Sequence, residues 1–144
     1  MENNWQEKLS LQKALDKAVC INFEHQTSSY RVRVIGDVEN GYDVVKSSSS
    51  KIREQDFEPL ATDYTEMTYD HIASIGEDFT PLKHWEEICG AFQVIDGEIL
   101  RFILAFKVPL EKIIRYELAC RGHDKNHEWV GFEKAQKIWL TENN

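Results

Sequence analysis

Two dipeptides, Asn40-Gly41 and Asp96-Gly97, each stand between stretches rich in β-branched and aromatic residues, and in that setting each predicts a tight hairpin. Asn, Asp and Gly accept the positive φ that such turns demand and that most residues avoid. The first turn joins a strand in YRVRV to one over 42–46. In YRVRV, Tyr30, Val32 and Val34 fall on one face and Arg31 and Arg33 on the other, the period-2 pattern of a half-buried strand. The second turn joins 91–95 to 98–106, and the latter run is so apolar that it reads as a central strand. Ile21, Phe23 and His25 alternate with polar residues and add a further strand ahead of the polar turn QTSS.

Helices are expected at both ends of the chain. Asn4 and Glu7 have the spacing of a capping box, and Trp5, Leu9, Leu15, Ala18 and Val19 recur at helical intervals, which predicts a helix over 4–19. Thr80-Pro81 supplies an N-cap and a first-turn proline for a short helix containing Trp85, Ile88 and Cys89, stopped at Gly90. Pro109 starts another helix that ends at Gly122, a fitting left-handed terminator. A last helix over 131–140 turns Phe132, Ala135, Ile138 and Trp139 inward. Between 60 and 75, Leu60, Tyr64, Met67, His71 and Ile75 share a helical face beside an acidic stripe of Asp63, Glu66 and Asp70, although Thr62, Thr65 and Thr68 pull toward strand. SSSS at 47–50 reads as an exposed loop or strand end. The expected fold class is α+β: an antiparallel sheet of about four to five strands packed against N- and C-terminal helices, in a single globular domain over 1–144.

Net charge is −8, and its distribution is uneven. From Glu54 to Glu87 there are ten carboxylates and one base, Lys83, whereas the remaining 110 residues hold 15 acids and 16 bases. The first residues, MENNWQEKLSLQ, have neither the basic start nor the apolar run of a secretory signal, and nowhere do about 18 apolar residues follow one another. A soluble, cytoplasmic protein is therefore expected, and Cys20, Cys89 and Cys120, odd in number and set in apolar patterns, read as buried free thiols.

No motif in the chain writes out a reaction. His123 and His127 are four apart, with Asp124 and Glu128 nearby, but Gly122, Asp124 and Asn126 place them in a loop without a third positioned ligand, so no metal is expected. Cys89 lies five residues from His84 in apolar surroundings, which suits a structural thiol better than a nucleophile. GxSxG is absent, and the glycines are isolated rather than grouped in a phosphate-binding loop. Asp96, Glu98 and Arg101 faintly suggest a nuclease carboxylate set, yet the Asp-Gly turn accounts for Asp96. Arg31 and Arg33 make a poor phosphate track against this net charge, so direct nucleic-acid binding is not expected, and neither are a cofactor and a membrane.

What the charge map implies is recognition of another protein. A concentrated negative field recruits a basic partner quickly, and aromatic side chains within it supply anchors. The candidate partner-binding residues are Glu54, Asp56, Glu58, Asp63, Tyr64, Glu66, Tyr69, Asp70, Glu77, Asp78, Glu86 and Glu87. In physical profile such a chain is similar to the immunity proteins with which bacteria neutralise basic nuclease toxins, and to phage inhibitors that mimic nucleic acid. The similarity implies an inhibitor that docks an acidic, aromatic-containing surface on a toxin domain. The alternative is a small enzyme or ligand-binding domain whose pocket draws on His71, His84, Cys89 or the His123/His127 pair; it requires those groups to converge.

Overall fold

Val32 and Val34 are the centre around which the first part of the chain is built. In a computed structural model that describes residues 9–49, 51–76 and 82–141, they lie on strand β1 (Val32–Asp37), which pairs antiparallel with β2 (Gly41–Lys46). The register sets Val34 opposite Val44 and Asp37 opposite Gly41, so the hairpin expected at Asn40-Gly41 is present. Asp37 Oδ1 accepts from the Asn40 amide at 2.7 Å, and Gly41 takes φ 81° to turn the chain back into the strand. Gly36 is required by a close approach, since a Cβ there stands 2.2 Å from the Gly41 carbonyl oxygen.

Helix α1 (Leu11–Glu24) covers this hairpin, burying Ala14 and Ala18 against Val32, Val34 and Tyr42. Small residues at those two helix positions let the helix approach the sheet closely. Leu9, Leu15, Ile21, Val44 and Leu60 close the rim of the core. The helix starts later than its apolar spacing suggests: Ser10 caps it through the Lys13 amide, and Leu9 is held in an extended bridge with Tyr42. The Asn4/Glu7 capping box and Trp5 lie outside the described residues. It also continues through Ile21 and Phe23, which are helical and not a strand. Asn22 explains the continuation: its side-chain amide donates to the Val32 carbonyl at 3.1 Å and accepts from the Val32 amide at 2.8 Å. The end of α1 thus satisfies the start of β1 as a neighbouring strand otherwise would.

The chain then passes a single 3-10 turn (Glu54–Asp56), touches β1 again where Val34 bridges Glu58, and runs irregularly to α2 (Tyr69–Gly76). The expected helix over 60–75 is therefore short and late. Asp63 draws both the amide and the hydroxyl of Thr65 onto its carboxylate, and the Thr68 hydroxyl accepts from the His71 amide at the entry to α2. The Asp63 bonds favour turn geometry over helix, and the Thr68 bond caps the helix only where it finally starts. Helix α3 (Lys83–Gln93) runs straight through Gly90, the residue expected to stop it, while Thr80-Pro81 falls outside the described residues.

The chain forms two compact units, Met1–Gln93 and Val94–Asn144. The second contains α4 (Gly97–Ala105), α5 (Leu110–Cys120) and α6 (Phe132–Trp139), and α5 packs against α6. Among the described residues its buried side chains are Ala119 and Ala135. Gly122 takes the expected left-handed conformation after α5, φ 70°, and the Trp129 ring lies so close that a Cβ at Gly122 stands 2.4 Å from it. The Trp139 indole donates to the His123 carbonyl at 2.7 Å, tying α6 to the loop that follows α5.

Among the described residues, then, there are six α-helices and one two-stranded antiparallel sheet: the fold is α-rich, and the expected sheet of four to five strands does not form. The second hairpin fails at its turn. Asp96 is instead the N-cap of α4, its carboxylate accepting from the Glu98 amide at 2.8 Å. Residues 91–93 finish α3, and 97–105 are helical, with Phe106 as C-cap. An Asp followed by Gly serves a hairpin and a helix start with the same side-chain bond, so the dipeptide alone does not separate them.

Candidate functional site

The first unit contains a cleft of about 210 Å³ between α1 and the irregular segment over 61–67, with His71 of α2 at its edge. Leu15, Val19 and Met67 supply apolar wall, while Asp16, Asp63 and Glu66 supply carboxylates. The chemical centre is Asp16. Only 5 % of this residue is exposed, an unusual state for an aspartate in the middle of a helix. His71 presents Nε2 to Asp16 Oδ2 at 2.8 Å, and the Tyr64 hydroxyl donates to Oδ1 at 3.4 Å. A buried carboxylate is tolerable only when donors surround it in this way.

Tyr64 is enclosed on its other sides, meeting Trp85 of α3 edge-on at 4.9 Å and the His71 ring at 6.2 Å. Burial first, and then the Asp16 charge, push its phenol up to about 12. Asp63, at the mouth of the cleft, is fully exposed, and its carboxyl is held below the usual range by the Thr65 hydroxyl and then by the Thr65 amide. Cys20, one turn beyond Asp16 on α1, has its thiol pushed up by burial and by the charges of Asp16 and Glu24.

The candidate residues fall into three groups. Asp63, Tyr64 and Glu66 come together on the cleft, with Tyr64 turned inward as a packing residue. Glu54 pairs with Arg33 at 3.0 Å, Asp56 pairs with Arg53 at 3.2 Å, and Glu58 is bonded through its backbone to Val34. Tyr69, 90 % exposed, stands at the start of α2 beside exposed Asp70, and Glu86 and Glu87 are exposed on α3. Glu77 and Asp78 lie outside the described residues. No ion pair among the described residues engages Glu66, Asp70, Glu86 or Glu87.

Arg31 and Arg33 have structural duties beyond a solvent face. The Arg31 guanidinium donates to the carbonyls of His25, Ser28 and Tyr30, closing the turn between α1 and β1. Arg33 lies over the Phe57 ring at 4.8 Å while holding Glu54. Of the groups considered for a catalytic pocket, His71 alone lines the cleft. His84 stands edge-on to Phe23 at 5.1 Å, Cys89 is half-buried on α3, and His123 and His127 belong to the second unit, their rings 4.4 Å apart. Among the described residues no three His, Cys, Asp or Glu side chains are grouped to hold a metal ion. All three cysteines are free, but Cys120 is exposed and the other two are only half-buried, so the expectation of fully buried thiols does not hold.

Two features escaped the sequence reading. Asp16 left one signal, an acid three residues before Val19 and one after Leu15, inside the apolar face of its helix. The other feature is α4, which exposes Ile99, Phe102, Leu104 and Phe106, the third of them by 81 %. Together these side chains form an exposed apolar patch on the second unit. No helix among the described residues is long and apolar enough to cross a membrane. Comparisons of the chain with protein-family models, with curated proteins and with solved structures found no match in any of the three.

Proposed function

We propose that this chain is a protein-binding inhibitor of the immunity type, recruiting a basic partner, such as a nuclease toxin domain, to the acidic surface of its first unit and covering that partner's substrate site. The observation that carries the reading is the segregation of charge. Met1–Gln93 holds 17 carboxylates against 9 Lys and Arg, a net of −8, while Val94–Asn144 holds 8 of each and is neutral. The excess is displayed: Glu66, Asp70, Glu86 and Glu87 are exposed, with Tyr69 projecting among them in the sequence as an aromatic anchor. A field of this kind raises the association rate of a cationic protein and disfavours nucleic acid itself.

The test is kinetic. A basic protein captured from the native cell is bound to the wild-type chain and to the Asp63→Asn, Glu66→Gln, Asp70→Asn triple variant. Association slows severalfold and loses most of its salt dependence in the variant, with the melting curve unchanged. Tyr69→Ala shortens the lifetime of the complex instead, by the effect of about 2 kcal/mol typical of an interface anchor. Unchanged rate and salt slope in the triple variant would reduce the acidic segment to a solvated face.

A further inference from the structure

We infer that the cleft beside Asp16 is a receptor for an arginine side chain of the basic partner, an inference that rests on the docking reading above. Its dimensions and walls fit a side chain better than a free-standing metabolite. At about 210 Å³ it accommodates one extended chain, and Leu15, Val19 and Met67 offer apolar surface along which methylene groups lie without cost. Carboxylates dominate the lining, and its one titratable base, His71, is already engaged by Asp16. Asp16, Asp63 and Glu66 all contribute carboxylates, and no Lys or Arg is among the lining residues. An anionic head group is repelled there, and a cation gains more at the rim than a neutral group does.

The choice of guanidinium over ammonium comes from placement. Asp16 is engaged by His71 at the cleft floor, which leaves the reading of the incoming charge to Asp63 and Glu66, three residues apart on the same segment. Asp63 is held ionised by Thr65, and Glu66 is exposed with no ion pair among the described residues. Two carboxylates at a rim above apolar walls match a planar, weakly hydrated, multi-donor cation on a long aliphatic stem, which is arginine; the ammonium of lysine keeps its hydration more strongly. The His71–Asp16 and Tyr64–Asp16 bonds hold the floor and one wall in place before anything binds, so little ordering cost falls on the complex.

The experiment uses the full chain and N-acetyl-arginine methylamide, with N-acetyl-norleucine methylamide as the uncharged match, and follows the Met67 methyl and His71 ring resonances. Saturable shifts with the arginine probe, absent with norleucine, support the inference, and Glu66→Gln weakens the arginine probe about fivefold, as loss of one exposed charge contact of about 1 kcal/mol requires. Glu66 is exposed, so this variant leaves the core untouched. Absence of saturable shifts, equal response to norleucine, or an affinity unchanged by Glu66→Gln overturns the inference. Each of those results is independent of the salt dependence of association with a whole basic protein, on which the docking reading stands or falls.

Discussion

Replacing Asp16 and His71, singly and together, tests whether the acidic segment is fixed to the fold by one buried contact. Asp16 is 5 % exposed and the His71 side chain 17 %, with 2.8 Å between Oδ2 and Nε2. A hydrogen bond to a charged group at such a site contributes about 1.5–3 kcal/mol, and removing one member leaves the other desolvated and unmatched. Asp16→Asn keeps the shape and one acceptor but turns a donor toward either His71 or Tyr64, so a loss of about 2 kcal/mol is expected from it. His71→Gln keeps a donor at similar reach but loses the ring that packs on Tyr64, and falls in the same range. Because both single variants break the same contact, the double variant costs less than their sum, and the coupling is about 1–2 kcal/mol.

The assay is urea unfolding followed through the Val32 and Val34 methyl resonances, which report on the core that α1 covers. The coupling survives added salt, because a largely buried pair is screened weakly. A coupling below about 0.5 kcal/mol, the level at which independent sites add, shows that α2 is held by something else. The reasoning about a preformed cleft floor is lost with it.

Four further outcomes follow from single features of the structure. Gly90 lies inside α3 with open space where a Cβ projects, so Gly90→Ala raises stability by about 0.5–1 kcal/mol in the same urea titration. Gly36→Ala does the opposite, costing about 2 kcal/mol or more, because φ 141° and a Cβ 2.2 Å from the Gly41 carbonyl both oppose it. Tyr64, ordinarily near 10 and raised to about 12, keeps its proton longer when folded than when unfolded, so its contribution is complete below pH 10 and is lost as pH rises through 12; Tyr64→Phe removes that component of alkaline destabilisation, read from melting curves across the interval. With a thiol-specific reagent, exposed Cys120 reacts first and Cys20, whose thiol is pushed up by burial and by Asp16 and Glu24, reacts late; faster labelling of Cys20 contradicts its place beside Asp16.

What could be read from the sequence followed the strength of the physical signal at each position. The first hairpin was legible because Asn40-Gly41, Val32 and Val34 combine turn chemistry with an alternation that has one interpretation. The second was not, because Asp96-Gly97 serves a helix N-cap equally well and the apolar run after it carries two periods at once. Ile99, Phe102, Ile103 and Phe106 fall at i, i+3, i+4 and i+7, and Phe102 meets Phe106 at 5.0 Å on one helical face; that spacing is the signal that separates this helix from a strand. The residues 21–25 misled for a different reason. Their alternation is real, yet Asn22 supplies the partner that β1 needs and lets α1 continue. Of the site, the exposed carboxylates were legible as charge, but Asp16 was not, since a buried acid is defined by partners from residues 48 and 55 positions away in the chain.

That long-range contact explains why a stretch so rich in carboxylates also contains Phe57, Leu60, Tyr64, Met67 and His71. Like charges brought together repel, and an irregular segment that carries them is free to spread unless something holds its backbone. Phe57 is buried under Arg33, Leu60 packs on the hairpin core, and Tyr64 and His71 converge on Asp16. Each anchor lies within a few residues of a carboxylate that stays in solvent: Asp56 beside Phe57, Asp63 beside Tyr64, Asp70 beside His71. The alternation of anchor and acid therefore fixes where the negative charges stand. Under the proposed docking reading, fixed charge of this kind would present a partner with a pattern rather than a diffuse cloud, and pattern is what separates specific recognition of a cationic surface from general attraction to it.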